Sequence, residues 1–381
     1  VTGNYTFGTS VNGTLTINKR PVTLKSADLS KEYDGVALVN GDTALETETG
    51  FVSGQGATYT FTGSQLDVGS SANAFTYAAK DGTNLDNYNI TKAEGTLEVV
   101  AKAATIVITA ASDSKTYDGN ALTNSGYTYT SGVLVSGDVL TAVISGSQTD
   151  AGNSANTVTS YTVKRGTDAN AIDVTNNYTF GTSVNGTLTV NKRPVTLTSA
   201  TDSKPYDGTP LTNGTVTVSG EGFVGNQGVT NNVTGSQLDV GSSANAFTYE
   251  ANEGTNLNNY NITKAEGTLE VTKNTATIVI TAASDSKPYD GNALTNSGYT
   301  YTQNVLVSGD VLTAVVTGSQ TNAGSSDNVV ESYQVMRGTT DVTGNYTFGT
   351  SVNGTLTVNP APLTLKSADL SKEYDGVALV N

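Results

Sequence analysis

The strongest claim to chemistry in this chain belongs to lysines placed two positions before a Tyr-Asp-Gly triplet. Lys31, Lys115, Lys204 and Lys287 precede Tyr33-Asp34-Gly35, Tyr117-Asp118-Gly119, Tyr206-Asp207-Gly208 and Tyr289-Asp290-Gly291. A lysine amine beside an Asn amide and a buried carboxylate can form an isopeptide bond, a staple of use to a chain that has no disulfide. No spacing pairs one of these lysines with a particular Asn, so a solvated strand-end charge is the plainer reading. The triplet itself reads as structure: Asp-Gly makes a turn, while the Tyr packs its ring and sends its hydroxyl to a backbone partner.

A second set is Asp67, Asp150 and Asp239, each two residues after a Gly-Ser-Gln, with Asn322 at the fourth such place. Acids of this kind, with backbone carbonyls, could hold calcium. The Asn in one copy and the lack of an Asp-x-Asp-x-Asp-Gly run favour turn capping instead, and no cofactor is required. Paired carboxylates could also cleave a glycosidic bond. Here every acid that could be nominated has a copy in another module, so no catalytic residue is assigned and the reading is not an enzyme. Cys, His and Trp are absent, which removes thiol nucleophiles, imidazole bases and Cys/His zinc sites. Asn-x-Thr triplets such as Asn89-Ile90-Thr91 lie inside strand patterns and read as composition.

The elements that position these residues repeat. Tyr-Asp-Gly recurs at Tyr33, Tyr117, Tyr206, Tyr289 and Tyr374, and an Asn-Tyr pair recurs at Tyr5, Tyr88, Tyr178, Tyr260 and Tyr346. The regular spacing implies tandem modules with one Tyr near the entry and another near the exit. Two flavours alternate. The order predicted is the end of a B-type module (1–19), an A-type module (20–102), a B-type (103–192), an A-type (193–273), a B-type (274–359) and the start of an A-type (360–381). Within modules the apolar period is two, as in Val22 and Leu24 alternating with Thr23 and Lys25. Glu94-Gly95 and Asn185-Gly186 sit between two such runs and read as tight turns of an exit hairpin. The fold class is all-β: small Ig-like β-sandwich modules in an elongated rod, with β-grasp-like modules as the alternative. Pro21, Pro194 and Pro362 stiffen junctions that have almost no linker.

Lys-x-Tyr-Asp-Gly, in register with a closing Asn-Tyr and Gly-Thr-Leu-Thr-Val, resembles the YDG and MBG-type tandem repeats of large bacterial cell-surface proteins. The resemblance covers essentially the whole chain. It implies an extracellular, adhesin-like protein or filament of a cell surface or biofilm, with these repeats as stalk or shaft. The alternative is an adhesive module that contacts host or matrix glycan or mucin through repeated surfaces. Neighbouring repeats and neighbouring fibres are the other expected partners. With 19 basic and 34 acidic residues the net charge is −15, which argues against nucleic acid, and no apolar run is long enough to insert in a membrane.

Residues 1–40 match residues 342–381 at 36 of 40 positions, the exceptions being Ile17/Val358, Lys19/Pro360, Arg20/Ala361 and Val22/Leu363. The chain therefore reads as a window on a longer array, continuing covalently or closing by strand donation between copies. On that reading the two stretches should share one conformation.

Overall fold

The computed structural model describes residues 2–41 and 44–381. Its elements are strands, and the helical ones among the described residues are 3-10 turns of three residues such as Leu85–Asn87 and Thr175–Asn177. The chain is thus all-β, and the two-turn helix that a β-grasp-like module needs is absent among the described residues. The chain divides into two compact units, Val1–Lys192 and Arg193–Asn381.

In the first unit, Arg20–Lys25 lies between Thr47–Thr49, antiparallel to it, and Tyr88–Ala93, parallel to it. Leu29–Glu32 pairs in parallel with Gly95–Val100, whose other side takes Gly69–Asn73. Arg20 opposite Tyr88 and Leu29 opposite Leu97 keep a single register, so entry and exit segments run side by side and step together from one sheet to the next. The exit hairpin expected at Glu94-Gly95 does not form, because both of its arms are already paired with the entry strands. Gly95 marks the step: a Cβ there would lie 2.3 Å from the Ala27 carbonyl oxygen, so only Gly lets the two backbones cross. Asn185-Gly186 fails as a hairpin for the same reason, since Gly186–Asn191 runs parallel to Asp113–Thr116.

The alternation of the sequence appears as burial. Val22, Leu24, Leu97 and Val99 are buried while Thr23, Thr96 and Glu98 face solvent. A separate hairpin closes each module: Ala57–Phe61 with Phe75–Ala79 in 20–102, and the longer Asp138–Ser145 with Gly152–Arg165 in 103–192. One core then ignores the 102/103 boundary. Tyr33 and Val99 pack in the same cluster as Ile106, Ile108, Leu140, Val163 and Tyr178. The second unit repeats this arrangement, with Tyr206, Leu269 and Val271 in one cluster with Ile278, Leu312, Val335 and Tyr346.

The two near-identical stretches do not share a conformation. Residues 5–19 form no strand, whereas their counterparts 346–360 include Thr347–Phe348 and Gly354–Asn359. Conversely 361–381 form no strand, whereas 20–40 include Arg20–Lys25 and Leu29–Glu32. Each stretch forms strands where the opposite half of its parallel ladder is present, and none where it is not.

Candidate functional site

Tyr-Asp-Gly begins as a local device. In the first copy the Lys31 ammonium donates to Asp34 Oδ1 at 2.8 Å and to the Val36 carbonyl at 2.6 Å, and the Val36 N–H donates to the same carboxylate at 2.9 Å. Gly35 completes the turn at φ +79°. Lys115 with Asp118, Lys204 with Asp207 and Lys287 with Asp290 repeat the pair at 2.6, 2.9 and 2.8 Å. The hydrogen bond from the lysine, then that from the N–H two residues on, holds Asp34, Asp118 and Asp290 below the usual carboxylate range. The four lysines named as crosslink candidates are thus set against carboxylates of their own loops rather than Asn side-chain amides.

In the two A-type modules the turn delivers the preceding tyrosine into the next module. Tyr33 is buried, and its hydroxyl donates to Asp138 Oδ2 at 2.8 Å, a side-chain carboxylate where the sequence suggested a backbone partner. Tyr178 donates to the same oxygen at 2.6 Å and accepts from the Val135 N–H at 2.9 Å. The two rings meet edge to face at 5.6 Å between centroids. Arg165 donates to the Tyr33 hydroxyl at 2.8 Å, bonds the Asp67 carboxylate and lies over the Tyr33 ring. Burial, chiefly, pushes the Tyr33 and Tyr178 hydroxyls above the ordinary phenol range, with Asp138 adding to the shift.

The second unit builds the same clamp from Tyr206, Tyr346, Asp310 and Arg337. Tyr206 and Tyr346 donate to Asp310 Oδ2 at 3.1 and 2.5 Å, and their rings cross at 5.5 Å. Arg337 here donates to Asp310 at 2.8 and 3.3 Å and lies over the Tyr206 ring. An outer bond repeats in both units: Asn177 Nδ2 donates to Asp67 Oδ1 and Asn345 Nδ2 to Asp239 Oδ1, each at 2.7 Å. Each Asn also accepts at 2.8 Å from the N–H after that Asp, of Val68 and Val240.

Asp67 and Asp239 therefore tie adjacent modules together, which differs from the turn capping expected of them. The capping falls to Gln: Gln65, Gln148, Gln237 and Gln320 each donate to the carbonyl two residues on, at 2.7 Å. Burial opposes the ionisation of Asp67, but hydrogen bonds from Arg165 and Asn177 outweigh it and hold that carboxyl low. No group of three His, Cys, Asp or Glu side chains gathers among the described residues, and no α-helix there is long enough to cross a membrane.

Tyr88 and Tyr260 serve their own modules. Tyr88 and Tyr260 donate to Gln55 and Gln227 at 2.5 and 2.6 Å, so A-type modules hold a neutral amide where B-type modules hold Asp138 and Asp310. Tyr117 is buried, whereas Tyr289 is 45% exposed.

Two groups carry weight that motif reading passed over. Asp138, Arg165, Asp310 and Arg337 occur in B-type modules alone, so a search for residues common to all modules skips them. Asn73, Asn156, Asn245 and Asn328 are fully buried, and each donates to the entry-strand carbonyl at the sheet step, at 2.8 to 3.0 Å. Each lies ten residues after the Gly of Gly-Ser-Gln, a spacing visible in the sequence. That Gly lies flat on the Asn: a Cβ on Gly146, Gly235 or Gly318 would come within 2.8, 2.4 or 2.6 Å of the Asn Oδ1. The Gly Cα–H bond accordingly points at an oxygen that has no conventional donor.

No family model and no curated protein sequence matches this chain.

Proposed function

We propose that the chain is part of the shaft of a bacterial cell-surface protein or secreted filament, a semi-rigid extracellular spacer of Ig-like sandwich modules in an elongated rod. The observation that carries this reading is the burial of Tyr33 and Tyr206 in the core of the following module, each with its hydroxyl on a buried carboxylate. Modules joined by a flexible tether keep separate cores. Modules that share one resist bending and transmit tension through packed side chains and charge-assisted hydrogen bonds. The motifs that resemble YDG and MBG-type surface repeats support the same role.

Force spectroscopy on the whole chain tests it. If an A-type and a B-type module yield together, each step releases roughly 60 nm of contour, and roughly 30 nm if modules yield singly, at about 3.5 Å per residue. Steps of the shorter length alone, or scattering from a compact particle, overturn the shaft reading. Saturable binding to mucin or a glycan array places the chain among adhesive modules instead.

A further inference from the structure

The B-type modules carry a surface that the shaft reading does not use. Asp138–Ser145 and Asp310–Thr317 are eight-residue strands at the end of their sheet order, each paired only with the strand that follows it. The bond from the Gly166 N–H to the Gly137 carbonyl sets the phase of that ladder. Residues 139, 141 and 143 spend their main-chain groups on the neighbour, while Leu140 and Ala142 turn theirs to the open edge. Tyr127 donates to the Leu140 carbonyl and Tyr299 to the Leu312 carbonyl, which leaves each of those oxygens one further lone pair.

Open edges are ordinarily blunted by charge, proline or shortness. These two have none of these, and the one register shift in each ladder falls after Val143 and Val315, beyond the segment 139–143 or 311–315. After the buried Asp at the start, residues 139–145 and 311–317 hold no charged side chain in a chain of net charge −15. Val139, Val143, Val311 and Val315 stand 43 to 59% exposed on the outer face. The corresponding A-type strands, Ala57–Phe61 and Val229–Val233, have five residues and present Thr58 and Thr60, or Thr230 and Asn232, outward.

We infer that this edge is a self-association site, at which the strand pairs antiparallel with the same strand of a second copy of the chain. The sequence itself names the occupant. Val139-Leu140-Thr141-Ala142-Val143 recurs unchanged as Val311-Leu312-Thr313-Ala314-Val315. Reversed about its central Thr it sets Val against Val, Thr against Thr, and large Leu against small Ala. That axis also opposes Leu140 to Ala142 of the second copy, the residues whose main-chain groups face outward, so phase and side-chain fit select one register. A two-fold axis through Thr141 makes the contact isologous and closed. Shafts joined this way associate side by side.

Sedimentation equilibrium of the full chain across a concentration series tests the proposal. The wild type should show reversible association. T141K/T313K sets two ammonium groups face to face on the axis and should weaken association by about tenfold or more. Mixing T141K/T313K with T141E/T313E should restore it, since opposite charges then meet. T60K/N232K on the A-type edges and L15K/L365K in the unpaired stretches should leave it unchanged. A wild type that stays monomeric, a Lys variant that associates normally, a Lys/Glu mixture that does not recover, or loss of association in either control overturns the inference. If the Lys variant also melts early, the mixture still decides, because charge pairing cannot repair a fold defect carried by both parents.

Discussion

Residues 5–40 and 346–381 carry almost the same sequence and have opposite structures. Leu24 and Tyr33 are 0 and 1% exposed, while their counterparts Leu365 and Tyr374 are 85 and 99% exposed. In the other half the relation inverts: Leu356 and Tyr346 are 0 and 1% exposed, against 99 and 73% for Leu15 and Tyr5. Composition, propensity and alternation are held constant across the pair, so none of them decides whether these strands form. The deciding term is the distant partner strand, which supplies hydrogen bonds for the ladder and a second apolar face for the core. The tandem module is thus a non-local object, assembled from entry and exit segments more than fifty residues apart.

Paired substitutions break the comparison most sharply. Leu24→Ala or Leu356→Ala leaves a cavity in a filled core and should cost about 2–5 kcal/mol. Leu365→Ala and Leu15→Ala, the same change in the same local sequence, should stay within about 0.5 kcal/mol. Denaturant melts followed by circular dichroism give both numbers. Comparable losses in the two members of a pair would mean that the exposed stretches are also packed.

The clamp gives the next effect. Asp138→Ala removes the acceptor of two buried hydroxyls and should cost about 3 kcal/mol. The loss should fall on the first unit, with the Asp310 clamp of the second undisturbed, which amide exchange can resolve. Tyr33→Phe deletes a single buried hydroxyl and should cost about 1 kcal/mol, whereas Tyr374→Phe should cost nothing measurable.

Alkali probes the same hydroxyls. Tyr33, Tyr178, Tyr206 and Tyr346 are all raised above the ordinary phenol range, by burial first. A raised group binds its proton more tightly folded than unfolded. Its contribution is therefore whole below the unfolded value of about 10 and is lost as pH rises toward the folded value. The melting temperature should hold through neutral pH and fall above about pH 10, less steeply in Tyr33→Phe. An alkaline limb unchanged by that substitution would remove Tyr33 from its cause.

How much of this was legible divides along the same line. The period of two in Val22-Thr23-Leu24-Lys25 gives strand, buried face and fold class, because alternation is a local property of a half-buried strand. It is silent on direction, since parallel and antiparallel ladders bury the same alternate residues, and a hairpin at Glu94-Gly95 fits the alternation as well as the parallel ladders that form. The Asp-Gly turn could be read because its bonds lie within a few residues, whereas the Lys, expected as a solvated strand-end charge, closes on the Asp of its own loop. The partner of the Tyr could not be read, because Asp138 lies 105 residues from Tyr33 and has Gln55 at the corresponding place in the A-type module. Asn73 and its three equivalents were within reach, through the constant spacing from Gly-Ser-Gln.

The smallest effect tests the local side of the division. Although 361–381 form no strand, the loop at Tyr374-Asp375-Gly376 is made: Lys372 reaches Asp375 at 2.9 Å, the Val377 N–H donates to that carboxylate at 3.0 Å, and Gly376 sits at φ +82°. Gly35 in the packed copy sits at +79°. An Asx turn closes on its own side chain and needs no core, so it should persist where the strands do not. In amide spectra, Val36 and Val377 should both show the temperature dependence of a hydrogen-bonded N–H. Asp34→Ala and Asp375→Ala should each abolish that signature at its own loop, and Asp375→Ala should leave the melting temperature unchanged. If Val377 behaves as a freely solvated amide while Val36 does not, the turn depends on the fold around it, and the comparison extends from the strands to the loops.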